Sequence, residues 1–91
     1  VFSLKGNSPN PFNPATQIAY ELMRDSEIRL VIFNHLGQEV RVLVQGVQNA
    51  GQYRVEWDGK DALGREAASG LYIYRLSSGN VSQTRQMLLL K

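Results

Sequence analysis

The chain has 91 residues, 43% of them hydrophobic, no cysteine, and ten basic against eight acidic side chains for a net charge of +2. That length suits one domain with a thin core, since a chain this short buries only roughly 60–65% of its unfolded surface, and that hydrophobic share excludes a disordered segment. Without thiols there is no disulfide framework and no thiolate metal site, and basic residues scattered along the chain exclude the stripe expected of a nucleic-acid binder.

Val1 is not an initiator, and no charged start and apolar block follow it, so the sequence is expected to be a fragment of a longer polypeptide. Residues 1–15 read as a proline-rich lead-in to a sandwich over 16–91. Ser8-Pro9-Asn10-Pro11-Phe12-Asn13-Pro14 holds all three prolines. Each proline fixes its own φ and pushes the preceding residue out of the helical region, which predicts a stiff, extended or polyproline-like stretch. Such a stretch is excluded from a central strand. It is expected to lie across an edge of the sandwich with Phe12 as anchor, blunting a strand edge that would otherwise invite aggregation.

From Gln17 onward the hydrophobic period is two. Ile18, Tyr20 and Leu22 share one face of the first predicted strand, Met23 to Ser26 turn the chain, and Ile28, Leu30 and Ile32 share a face of the second. Val31 and Phe33 imply that part of its other face is covered as well. Asn34-His35-Leu36-Gly37 is a tight turn, with Asn34 able to cap its own backbone and Gly37 free to take positive φ. Val40, Val42 and Val44 then alternate with polar residues. After Asn49-Ala50-Gly51, the residues Tyr53, Val55 and Trp57 alternate with Gln52, Arg54 and Glu56. A long loop from Asp58 to Gly70 follows, with Glu66-Ala67-Ala68 read as a short extra strand. Leu71 to Leu76 and Val81 to Leu90 complete the set around the turn Ser78-Gly79-Asn80. Short, evenly spaced strands rich in β-branched and aromatic residues predict an all-β, immunoglobulin-like antiparallel sandwich of about seven strands.

The longest apolar runs, Leu30 to Phe33 and Met87 to Leu90, are four residues each, against the ~20 that a membrane-spanning helix needs. Catalysis needs a nucleophile, base or metal within mutual reach. The one histidine, His35, falls in a surface turn with no partner to orient it. Paired carboxylates across a cleft would suit glycoside chemistry, but so small a sandwich offers little cleft. Asp58 and Asp61 are the only calcium candidates. They lack the third acidic ligand and terminal glutamate of an EF-hand loop, and the same spacing arises when aspartates accept backbone N–H bonds in turns. Trp57, Tyr72 and Tyr74 could stack on a sugar, yet in-step aromatics in a small sandwich are more often core. No enzyme activity and no cofactor are expected.

Pro9-Asn10-Pro11-Phe12-Asn13-Pro14, followed by Thr16, Ile18 and Tyr20-Glu21-Leu22, resembles the start of the type IX secretion C-terminal sorting domain (type A), a family related to the Ig-like domain of the flagellar hook-capping protein. Phe33 to Val40 resembles that family's strand–turn–strand. Trp57-Asp58-Gly59-Lys60-Asp61 with Gly64, then Ser69 to Leu76, resemble its closing half, and Gln83 to Lys91 its basic-apolar-basic ending. Asn34 stands where the family usually has aspartate, His35 where it has an apolar or small residue, and Arg85 where lysine is common.

The resemblance implies a monomeric address module, carried behind a covalently linked cargo domain and read by the outer-membrane secretion machinery. The cargo would pass through the periplasm and outer membrane to the cell surface or medium. Its implied recognition residues are Asn10, Pro11, Phe12, Asn13, Pro14, Gly37, Gly70, Tyr72, Arg85 and Lys91. Val81 to Leu90 is the strand edge expected to pair with a receptor, and Lys91 is read as a natural terminus. The competing expectation is a structural Ig-like spacer, or an accessory module that binds carbohydrate, in a larger extracellular enzyme.

Overall fold

Alternating apolar residues resolve into strands whose inward faces meet between two sheets. The computed structural model describes residues 2–91. In chain order the strands are β1 (Phe2–Ser8), β2 (Thr16–Leu22), β3 (Ser26–Asn34), β4 (Glu39–Gln48), β5 (Gly51–Trp57), β6 (Gly70–Ser78) and β7 (Val81–Leu89). They form a three-stranded sheet in the order β1-β2-β5 and a four-stranded sheet in the order β4-β3-β6-β7. All pairings are antiparallel, giving the immunoglobulin-like sandwich that the alternation predicts.

Ile18, Tyr20 and Leu22 of β2 meet Ile28, Leu30 and Ile32 of β3, with Trp57, Tyr74, Leu76, Met87 and Leu89 filling the remainder of the core. Burying each large apolar side chain stabilises the fold by about 1.5–3 kcal/mol. Tyr20 and Tyr53 stack with ring centroids 5.2 Å apart, and the Tyr20 hydroxyl donates to Gln48 Oε1 at 2.6 Å.

Three features depart from the alternation as read in sequence. First, Phe2 and Leu4 are buried in β1 on either side of the half-buried Ser3, a strand that the proline-rich reading leaves unassigned. Second, β4 changes phase. Its register with β3 slips between Leu30 and Val31 and between Ile32 and Phe33, so Val40 and Leu43 are inserted as extra residues. Val40, Leu43 and Val44 therefore pack against the core, while Val42 stands opposite Val31 on the outer face, as expected when a bulge shifts the side-chain period. Third, Glu66 makes a single bridge to Lys60 in place of an extra strand.

The outer face of β3 is covered from within the chain. Val31 is 2% exposed between Val42 and Arg75. The Arg75 guanidinium lies 4.8 Å above the Phe33 ring, and Arg29 pairs with Glu39 at 3.0 Å.

On one side the sandwich is closed by side chains. Gln83 Oε1 accepts from Leu4 N–H at 2.8 Å, and Gln83 Nε2 donates to the Phe2 carbonyl at 3.1 Å. Arg85 Nε donates to the Leu4 carbonyl at 3.0 Å, and the Tyr74 hydroxyl to the Lys5 carbonyl at 2.9 Å. These bonds join β1 to the four-stranded sheet without a shared ladder.

Candidate recognition surface

The proline segment is the connection between β1 and β2, and it leaves its own sheet to reach the other one. Residues 9–15 run as a series of bends, not as an extended stretch, because two adjacent antiparallel strands require the chain to reverse. Thr16 is buried at the start of β2, and its hydroxyl donates to the Pro9 carbonyl at 2.8 Å. Asn7 Nδ2 donates to the Thr16 hydroxyl and to the Pro9 carbonyl.

At the far point of this excursion Phe12 bridges to β7 in parallel sense. Phe12 N–H donates to the Leu88 carbonyl, and Leu90 N–H donates to the Phe12 carbonyl, each at 3.0 Å. Asn10 Oδ1 accepts from Leu88 N–H at 3.1 Å. The Phe12 ring is 2% exposed, and its centroid lies 5.6 Å from that of Trp57. Trp57 meets Tyr72 nearly edge-on at 5.2 Å. A single aromatic row thus ties the strap, β5 and β6 together.

Of the residues the resemblance points to, all except Arg85 gather at this end. Gly70 opens β6 opposite Leu89, which in turn faces Phe12. Tyr72 stands opposite Asn34, bringing in the turn that holds Gly37. In that turn Asn34 Oδ1 accepts from Leu36 N–H and Gln38 N–H, and Gly37 takes φ +80°. Lys91 is fixed by its N–H to the Ser69 hydroxyl at 2.9 Å and by Nζ to Glu66 Oε1 at 3.0 Å. Phe12 and Tyr72 are interior, and the Tyr72 hydroxyl already donates to the Ala68 carbonyl at 2.7 Å. Pro11, Asn13, Pro14, Gly37 and Lys91 are exposed. Arg85 sits midway along β7 on Leu4. Beside the strap a depression of ≈ 360 Å³ is bounded by Asn13, Pro14, Asp58, Lys60, Glu66 and Lys91.

The electrostatics here are local. Hydrogen bonding to Lys91 and its charge hold the Glu66 carboxyl below its ordinary pKa. Asp61 is held low chiefly by the Arg65 N–H, then by Leu63 N–H and the Arg65 side chain. Burial raises the Tyr72 hydroxyl against an opposing pull from Lys91.

Both calcium candidates accept hydrogen bonds from the loop, Asp61 with both carboxylate oxygens and Asp58 with Oδ1. Asp58 Oδ1 accepts from Lys60 N–H at 3.0 Å and from Arg41 at 3.1 Å. Asp61 Oδ1 accepts from Leu63 N–H and Arg65 N–H, and Oδ2 from Arg65 Nε. Among the described residues no three His, Cys, Asp or Glu side chains converge as metal ligands. The rings a sugar would need are inside, with Trp57 and Tyr74 fully buried. Trp57 Nε1 donates to the Lys60 carbonyl at 2.9 Å, which shapes the loop after β5. His35 is exposed in its turn.

Two contributors to this end are not evident in the sequence. Gly59, at φ +79°, passes against the Pro14 carbonyl, and Ala67 N–H donates to the Gly59 carbonyl at 2.8 Å. Glycines in a loop read only as turn formers until the segment packed on them is known.

The family model described as the FlgD Ig-like domain matches residues 6–82. No curated protein matches the sequence. Among solved structures, dimeric latent PorU from Porphyromonas gingivalis is similar with a TM-score of 0.78 at 16% identity, over 99% of this chain and 9% of PorU. FlgD from P. aeruginosa is similar with a TM-score of 0.65 at 20% identity, over 96% of this chain and 64% of that one. PorZ, described as an essential surface component of the type-IX secretion system of Porphyromonas gingivalis, is similar with a TM-score of 0.62 at 18% identity, over 97% of this chain and 11% of PorZ. The chain therefore spans about a tenth of PorU and PorZ and under two thirds of FlgD.

Proposed function

Because the chain belongs to the FlgD Ig-like domain family, we propose that it is a non-catalytic sorting and anchoring module of a larger exported protein, read as a folded signal by the type IX outer-membrane machinery. The observation that carries this reading is the strap. Phe12 pairs on both sides of Leu89, so the proline segment and the final strand form one surface that exists only in the folded domain. A folded tag of this kind presents Pro11, Asn13, Pro14 and Lys91 together, although they are distant in sequence. The likeness to PorZ, a surface component of that secretion system, supports the assignment to the same pathway. The small share of PorU and PorZ that the chain covers fits a module linked to a much larger cargo.

A second reading is an Ig-like structural spacer. The likeness to FlgD from P. aeruginosa supports it, since this chain spans 64% of that one against about a tenth of PorU and PorZ.

An export assay separates the two. A fluorescent protein is fused ahead of residue 1 and expressed in a bacterium that has type IX secretion. A sorting module delivers the fusion to the surface or medium, and a mutant of that secretion system traps it in the periplasm. Retention of the folded fusion in the periplasm of the normal strain would leave the spacer reading.

A further inference from the structure

Four strand edges bound the two sheets, and three of them are occupied or distorted. The edge of β1 has a bulge between Leu4 and Asn7, and its carbonyls at Phe2, Leu4 and Lys5 accept from Gln83, Arg85 and Tyr74. The edge of β7 pairs with Phe12. The edge of β4 is broken by two register shifts, and Ala62 N–H already donates to the Val40 carbonyl. These are the devices by which sheets protect their edges from pairing.

The edge of β5 has none of them. Its seven residues run in unbroken register with β2, contain no proline, and make no backbone bond to any other element among the described residues. Tyr53 and Val55, on its inner face, remain only partly covered. Such an edge is a template for a further strand.

We propose that this edge pairs with the β5 edge of a second copy of the chain. The pairing is antiparallel about a two-fold axis at Val55, and it joins two three-stranded sheets into one of order β1-β2-β5-β5-β2-β1. The charges on the edge select both the occupant and the register. Arg54 and Glu56 are exposed and, among the described residues, take part in no salt bridge. Their neighbours across β2 are the uncharged Ala19 and Gln17. Centring the pair on Val55 sets Arg54 against Glu56 of the second copy, twice over, with Val55 against Val55 on the inner face. Centring on Arg54 would oppose two guanidinium groups, and centring on Tyr53 would leave Arg54 against Gln52. Opposite charges directly across a ladder stabilise it and like charges destabilise it, and a two-fold interface must be self-complementary.

The monomer expected from sequence is thus the dilute form. An edge this short buries less than the ~1,200 Å² of stable complexes, so the dissociation constant is expected between ~10 µM and ~1 mM. The interface is independent of the export reading.

Sedimentation velocity over that concentration range tests it, with circular dichroism to show that each variant is folded. The expected result is a monomer–dimer equilibrium for the natural chain. R54E alone and E56R alone each place like charges across the ladder and weaken the dimer at least tenfold. An equimolar mixture of the two restores association as a heterodimer, and the double variant R54E/E56R restores the homodimer. A natural chain that stays monomeric at ~2 mM overturns the proposal. So does a dimer indifferent to both single substitutions, or a mixture that fails to recover.

Discussion

Gly59 lies against the carbonyl of Pro14 so closely that a Cβ at this position would stand 2.6 Å from the oxygen. Gly64 has nearly the same φ, +81° against +79°, but nothing lies within 4 Å of its would-be Cβ. The two glycines therefore separate backbone strain from packing. Gly64→Ala is expected to cost only the ~1–2 kcal/mol of a left-handed non-glycine residue. Gly59→Ala adds the displacement of the strap and costs roughly 1–3 kcal/mol more. Urea unfolding of both variants measures the difference, and equal losses would mean that the strap moves aside freely.

Gln83 stands in for two ladder bonds between β7 and β1. At about 0.5–1.5 kcal/mol per hydrogen bond, Gln83→Ala should lose ~1–3 kcal/mol and speed amide exchange at Leu4 before any effect reaches β3. Exchange that rises equally in β3 would show that β1 unfolds only with the whole domain.

The two ends of the proposed signal can be tested apart. Leu89 is fully buried and faces both Gly70 and Phe12, so deleting residues 88–91 should unfold the domain and abolish its near-ultraviolet circular dichroism. Lys91→Ala removes an exposed ion pair to Glu66, a contact that adds little to stability in solvent, and should leave the fold intact. Export that fails with Lys91→Ala, in a domain still folded, marks Lys91 as read by the machinery. Normal export with that variant limits Lys91 to fastening the end of the chain to Glu66 and Ser69.

Stability should fall at high pH. Burial raises the Tyr20, Tyr72 and Tyr74 hydroxyls above their ordinary value of 10.0. A raised folded-state pKa means that the unfolded chain loses its protons first. The contribution is complete below about pH 10 and is lost as pH rises through the folded values. Urea midpoints compared at pH ~8 and ~11 should drop more for the natural chain than for a Tyr74→Phe variant. At low pH the sign reverses for Asp61 and Glu66, whose lowered values stabilise above the ordinary carboxylate range and cease to do so as they protonate.

Much of this architecture is legible in the residues themselves. The period of two in Ile18-Tyr20-Leu22, in Ile28-Leu30-Ile32 and in Tyr53-Val55-Trp57 depends on local geometry alone, and so do the turns at Asn34 and Gly79. Phe12 as an anchor is legible too, since an isolated aromatic among prolines has few other uses. The bulges of β4 are not, because a run of valines alternates equally well in either phase, and only packing against β3 decides which residues face the core. Nor is the path of the strap, which depends on a strand, β1, whose two apolar residues signal little until β7 is beside them.

The sequence by itself determined that this chain is an all-β sandwich with a proline-stiffened segment, because strand period and proline geometry are properties of neighbouring residues. Only the tertiary structure decided that the strap closes on β7, that Gly59 must lack a side chain, and that β5 keeps a free edge. Those facts are set by contacts between residues far apart in the chain, whose closeness no local pattern encodes.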